Sequence, residues 1–188
     1  DIHELRENVR TLPFDSKYKI YILDEVHMLS KAAFNALLKT LEEPPAHVIF
    51  ILATTELEKV PDTIVSRCQM FTFKKPTISV LKDLVTSIAK KEGCKIDNAG
   101  SELIALLGDG SFRDTQSTLQ KVMSFSKDKV LSIKEIEEVT GAPSSELVND
   151  FLLAIVESDI EKGLKAIKNA EEKNIDISLY LKLILIKN

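Results

Sequence analysis

The first part of this chain holds two stretches of four or more residues that are apolar without interruption: Ile20-Tyr21-Ile22-Leu23, after Lys19, and Val48-Ile49-Phe50-Ile51-Leu52-Ala53, after His47. β-Branched, aromatic and aliphatic residues with no polar alternate are the pattern of strands covered on both faces of a parallel sheet. Between them Phe34, Leu37, Leu38 and Leu41 recur at i, i+3, i+4 and i+7. That spacing predicts a helix, with Ser30 placed to cap its start and Pro44-Pro45 to stop it. Two strands joined by a helix make a βαβ unit, whose crossover is almost always right-handed. Ile2, Leu5 and Val9 predict an earlier helix, broken at Thr11-Leu12-Pro13. Beyond the second strand Pro61 opens a short helix through Val65, and Gln69 to Phe73 reads as a third, shorter strand.

From Lys74-Lys75-Pro76 onward the periodicity is helical only. Ile78, Leu81, Leu84, Val85 and Ile88 predict a helix to about Glu92 with Gly93 at C′, and Ala99 to Leu107 a second, ended by Gly108-Asp109-Gly110. Ser111 and Asp114 have capping-box spacing with Asp in place of Glu. Ser132 and Glu135 carry the full box and open a short helix ending at Gly141. After Ala142-Pro143-Ser144-Ser145 the pattern continues through Phe151, Leu152, Ile155 and Val156, and Asp159 and Asp176 can cap two more helices. Leu179 to Ile186 is strongly apolar and reaches Asn188 without a stop signal, so the last domain is expected to continue. The expected organisation is α/β followed by all-α: residues 1–75 as the C-terminal part of a parallel-sheet core, 76–141 as a helical domain, and 142–188 as the start of another.

Composition narrows the classes. At 188 residues with 44% hydrophobic content, the chain has enough apolar material for one large core or two small ones. No run approaches the eighteen apolar residues of a membrane span, and the first residues lack the layout of a signal peptide, so a cytoplasmic protein is expected. Cys68 and Cys94 have neither zinc-ligand nor disulfide-framework spacing. A net charge of −4 argues against bulk nucleic-acid binding, although a local basic face is compatible with it.

Candidate chemistry gathers at the strand tips. Asp24 and Glu25 follow the first apolar stretch, and Thr54-Thr55-Glu56 follow the second. Parallel sheets bind ligands at the C-terminal ends of their strands. Paired acids there fit a nucleotide hydrolase of Walker B type: one acid holds Mg²⁺ through water, and the other orients or deprotonates the attacking water. Two acids can also simply mark a strand that ends in a loop. His27 has no second His or Cys at ligand spacing and reads as a structural or surface residue rather than a metal ligand, and His3 and His47 carry no functional assignment.

Four segments in order carry a family resemblance: Asp24-Glu25-Val26-His27, the run Asn35-Ala36-Leu37-Leu38-Lys39-Thr40-Leu41-Glu42-Glu43-Pro44-Pro45, Ala53-Thr54-Thr55, and Ser66-Arg67-Cys68. Together they closely resemble the gamma/tau subunits of bacterial DNA polymerase III, clamp-loader ATPases of the AAA+ class. The likeness covers residues 1 to 141 well and the rest loosely. It implies a partial AAA+ core, a helical lid over 76–141 and the start of an oligomerising collar. It further implies that Asp24 is the Mg²⁺-associated acid and that Glu25 orients the hydrolytic water. Thr55, with Thr54 beside it, would be the sensor that polls the γ-phosphate. Arg67 resembles the arginine finger that acts on ATP held by a neighbouring subunit, and Arg113 the sensor-2 arginine of the lid. Lys31, Asn35 and Lys39 lie opposite the Phe34/Leu38/Leu41 stripe and would face DNA inside the loader ring.

Delta, delta-prime and further gamma/tau copies, the sliding clamp and primer-template DNA are the implied partners, and ATP-driven clamp loading in replication is the implied activity. Plainer roles stand beside these. Arg67 can neutralise a helix end, Arg113 can pair with Asp109 or Asp114, and the Lys31 face can be merely solvated.

One departure is sharp. None of the six glycines opens the G-x-x-x-x-G-K-[ST] loop by which the family holds ATP, and the family's cysteine-rich zinc module is missing as well. The resemblance places both before Asp1. These 188 residues alone are therefore expected neither to bind ATP tightly nor to hydrolyse it. Two other classes compete: a catalytically silent scaffold subunit like delta-prime, which tends to lack the Asp-Glu pair, and a DExH-type helicase, in which Ser-Ala-Thr would replace Ala-Thr-Thr.

Overall fold

Strand β1 (Lys19–Leu23) pairs in parallel with β2 (Val48–Leu52), Lys19 against Val48 and Leu23 against Leu52. Helices α1 (Ile2–Arg10), α2 (Lys31–Glu42) and the short α3 (Asp62–Val65) complete the first of two units, Asp1–Phe73 and Lys74–Asn188. This computed structural model describes residues 2–173 and 175–187. Asn188, which the uncapped last helix is expected to reach, lies outside them. The start of α2 is as its sequence predicts: the Ser30 hydroxyl accepts the Ala33 N–H at 3.2 Å. Phe34 joins Val26, Val60 and Ile64 in a small buried cluster, against which Leu29, Leu38, Leu41, Leu52 and Val65 pack.

At the C-terminal end of α1, His47 Nε2 lies 3.1 Å from the carbonyls of both Val9 and Thr11, and Lys19 Nζ lies 3.0 Å from that of Asn8. Carbonyls that a helix end leaves open are thus met by two side chains from the sheet.

Two sequence expectations fail here. The strands are covered on one face only. Tyr21 and Phe50 stack with centroids 5.5 Å apart on the covered side, while Ile20, Ile22, Ile49 and Ile51 are exposed on the other. Hydrophobic continuity reports which residues tolerate burial, whereas coverage depends on having a layer to supply it, and α1 and α2 supply one. Residues 69–73 do not form the expected third strand but run as irregular chain, with Met70, Phe71 and Phe73 exposed. A strand exists only through its ladder partner, and among the described residues none lies alongside.

The second unit comprises α4 (Ile78–Lys91), β3 (Lys95–Ile96), α5 (Asn98–Leu107), α6 (Phe112–Phe125), β4 (Val130–Leu131), α7 (Ile133–Thr140), α8 (Ser145–Val156), α9 (Ile160–Glu172) and α10 (Ile177–Lys187). It is not helical only, since β3 and β4 pair in parallel over two residues each. A two-residue strand is too short to leave a period in the sequence. The caps follow the sequence. Ser132 and Glu135 form the reciprocal box, and Gly141 ends α7 in the left-handed conformation at φ 69°. Asp159 accepts from Lys162 N–H, and Asp176 from Ser178 and Leu179. One apolar cluster takes in Val85, Ile104, Leu119, Val122 and Ile136 together with Leu147, Val148, Tyr180, Leu183 and Ile184. The buried Tyr180 hydroxyl donates to the Leu147 carbonyl at 2.9 Å, which satisfies the one polar atom of that side chain.

Candidate strand-tip site

The parallel ladder continues one step past the strands. Ala53 N–H donates to Leu23 O and Val26 N–H to Ala53 O, each at 2.9 Å. Asp24 and Glu25 are therefore looped out between two fixed backbone bonds. To return Val26 to Ala53 within two residues, the chain takes Glu25 into the left-handed region, at φ 46° and ψ 48°. For a non-glycine residue that costs about 1–2 kcal/mol. Val26, 1% exposed, is the anchor that makes the turn tolerable, because burying such a side chain contributes about 1.5 kcal/mol or more.

Around this turn the structure brings together Asp24, Glu25, Thr54 and Thr55. Asp24 Oδ1 accepts the Glu25 N–H at 2.9 Å, and the Thr55 hydroxyl donates to Glu25 Oε2 at 3.2 Å. Two further residues belong to the group. His27, with its side chain 8% exposed, sets Nδ1 2.9 Å from Thr54 Oγ1 and 3.4 Å from Glu25 Oε2, and Nε2 3.1 Å from Glu56 Oε2. Thr54 Oγ1 also accepts the Glu56 N–H at 3.0 Å. Nothing in the residues next to His27 in sequence signals this bridge, since its partners Thr54 and Glu56 lie on the other strand tip. The usable signal is the strand register: once Leu23 faces Leu52, the residues just beyond both tips must meet.

Among the described residues no three His, Cys, Asp or Glu side chains form a metal cage. Asp24 and Glu25 offer two adjacent carboxylates, the donor type that magnesium takes beside its waters and substrate phosphates. The donor set at the tips thus fits the acid half of a Mg-nucleotide site, while no phosphate loop occurs in the sequence.

The remaining candidates lie elsewhere. Arg67, past the end of α3, donates from Nη1 to the Thr63 carbonyl at 2.7 Å and from Nη2 to Glu42 Oε1 at 2.8 Å. This is the helix-end contact its position allows, on an exposed pair of the kind worth about 0–1 kcal/mol. Cys68 beside it has its thiol pKa raised by burial. Arg113 stands exposed in the first turn of α6, where a cation opposes the helix dipole, so helix electrostatics do not account for it. Asp109, one of its two possible partners, is bonded instead to Lys182 at 2.5 Å. Lys31, Asn35 and Lys39 are all exposed along α2. No helix among the described residues is long and apolar enough to cross a membrane.

Comparison with known proteins adds the following. The sequence family described as "DNA polymerase III, delta subunit" matches residues 1–77. DNA polymerase III subunit tau of Bacillus subtilis is 40% identical over 176 residues, 94% of this chain and 31% of that protein. The gamma/tau subunit of Mycoplasma pneumoniae is 41% identical over 182 residues, 97% of this chain and 27% of that protein. Subunit tau of Escherichia coli K12 is 35% identical over 176 residues, 94% of this chain and 27% of that protein. The chain thus spans less than a third of the length of these curated relatives. Among solved structures, the Thermotoga maritima RuvB Holliday junction branch migration motor aligns with a TM-score of 0.65 at 16% identity, over 82% of this chain and 56% of that one. At that identity the likeness is one of fold.

Proposed function

This chain belongs to the DNA polymerase III gamma/tau family, and from that premise we propose that it contributes the water-activating and γ-phosphate-sensing edge of a clamp-loader ATPase. The single observation that carries this is the Glu25–Thr55 hydrogen bond of 3.2 Å beside Asp24 at the tips of two parallel strands. It couples a carboxylate able to orient water to a hydroxyl able to meet a phosphoryl oxygen. Bound Mg²⁺ would neutralise charge on the transferring phosphoryl group. Asp24 would hold that ion through water, and Glu25 would align and deprotonate the attacking water. Thr55, whose one hydroxyl proton can be taken by Glu25 or by the γ-phosphate, would report whether the phosphate is present.

Arg67 is read as a finger for a neighbouring subunit's ATP, stowed against Glu42 and released at small cost because the pair is exposed. Arg113 is read as the lid's contact to nucleotide in its own subunit. Lys31, Asn35 and Lys39 would meet the phosphates of primer-template DNA. The assembly would be cytoplasmic, would include delta, delta-prime and further gamma/tau copies, and would use ATP binding and hydrolysis to load the sliding clamp.

The test is Glu25→Gln in the intact assembly: Mg-ATP binding should persist while turnover falls by on the order of 10²-fold or more. The second reading, a catalytically silent scaffold subunit, draws on the family description that matches residues 1–77. It predicts no change in assembly turnover from the same substitution.

A further inference from the structure

His27 is the most enclosed titratable side chain at the strand tips, and the hydrolytic roles given to Asp24, Glu25 and Thr55 do not use it. Its two ring nitrogens reach different partners on the far strand tip, Thr54 through Nδ1 and Glu56 through Nε2. The Thr54 hydroxyl oxygen already accepts the Glu56 backbone N–H. Its own proton is therefore free to point at Nδ1, and the ring proton then sits on Nε2, facing the Glu56 carboxylate. In that arrangement Nδ1 is filled by Thr54, and its edge stands 3.4 Å from Glu25 Oε2 as a wall with no donor to offer. Glu25 Oε2 takes its hydrogen bond from Thr55 instead.

Resting on the ATPase reading above, we propose that His27 is a positioning residue. It ties the tip of β1 to the tip of β2 through Thr54 and Glu56, and so fixes the Glu25 carboxylate on the Thr55 hydroxyl. Glu25 needs such a restraint. Its side chain is half exposed, and its backbone sits in a region that only local contacts maintain. Without the imidazole wall the carboxylate is free to leave Thr55, and a misplacement of about 1 Å in a reacting group can cost as much as 10²-fold in rate.

The test uses His27→Ala and His27→Asn, the second of which keeps an amide near the Nδ1 position. In the intact assembly His27→Ala should lower kcat roughly ten- to a hundred-fold with KM for Mg-ATP unchanged, and His27→Asn should recover part of that loss. Added to Glu25→Gln, His27→Ala should lower turnover no further. In the 188-residue chain itself, nitrogen-resolved spectra should show an Nε2-protonated imidazole that both variants remove, distinct from the Nε2-protonated ring of His47, and both variants should move the methyl resonances of Thr54 and Thr55 but not of Thr63. Wild-type kcat in His27→Ala overturns the proposal. So does a kcat loss accompanied by a raised KM for Mg-ATP and a lowered melting temperature, or a His27 ring whose two nitrogens average. If Glu25→Gln itself turns over normally, the ATPase reading fails separately, and the spectra still decide whether His27 binds Thr54 and Glu56.

Discussion

Ile104 in α5 and Ile22 in β1 are the same residue type in equally apolar stretches of sequence, yet the first is fully buried and the second 68% exposed. The contrast holds for the units around them. In Lys74–Asn188, helix stripes from α4 to α10 converge on one continuous cluster, although Val156, Ile160, Leu164 and Leu185 stay exposed. In Asp1–Phe73 the buried cluster is small, and an isoleucine face, Met28, Leu12 and Phe14 stay in solvent. All of the candidate site residues except Arg113 belong to this unit. One unit is specified by its own interior, whereas the other places its distinctive residues where something besides its own core must explain them.

The sharpest way to break that contrast is Arg67, whose role should lie outside its own unit. In mixed assemblies Arg67→Ala should silence ATP held by the adjacent subunit, by on the order of 10³-fold, while its own nucleotide site stays competent. A phosphate-loop mutation marks which site still works. Activity lost from the mutant's own site, or not lost at all, would leave Arg67 as the helix-end contact it makes with Thr63. The isoleucine pair measures the contrast directly. Ile104→Ala should destabilise the helical unit by about 2–5 kcal/mol, whereas Ile22→Ala should stay within about 0.5 kcal/mol. Comparable losses in denaturant titrations would mean that the exposed face is covered in solution.

The smallest effect concerns the rim of the helical unit. Lys182, first by its hydrogen bond and then by its charge, holds the Asp109 carboxyl below its usual range. A depressed folded pKa gives stability that is complete above the ordinary carboxylate pKa and is lost as pH falls through the folded value. Asp109→Asn should therefore lower the melting temperature slightly at neutral pH, leave it unchanged in strong acid, and so flatten the acid limb of the melting profile. Because the pair is exposed, high salt should erase the difference.

Capping was legible in the sequence because it depends on residues three or four apart. Ser30, Ser132, Asp159 and Asp176 all cap as their spacing predicts. Coverage was not legible, since Ile20 and Ile22 read as core whether or not a second layer exists. The β3–β4 pairing and the absence of a strand at 69–73 belong with this, because both turn on partners distant in sequence. At the strand tips the residue types of Asp24, Glu25, Thr54 and Thr55 were readable from position alone, but the bond between Glu25 and Thr55 and the bridge from His27 to Glu56 required the register. Arg67's contact with Glu42 had no sequence signal beyond their being oppositely charged.

The left-handed turn at Glu25 sets what an evolving population can do with this position. Glycine would sit there without strain, so Glu25→Gly should raise thermal stability by about 1 kcal/mol. A library selected for heat resistance alone should accordingly enrich glycine or asparagine at position 25. On the ATPase reading proposed for Glu25, the same library selected through DNA replication should purge them. The frequency of glutamate at this one site would then measure how much robustness a lineage gives up to keep the reaction running.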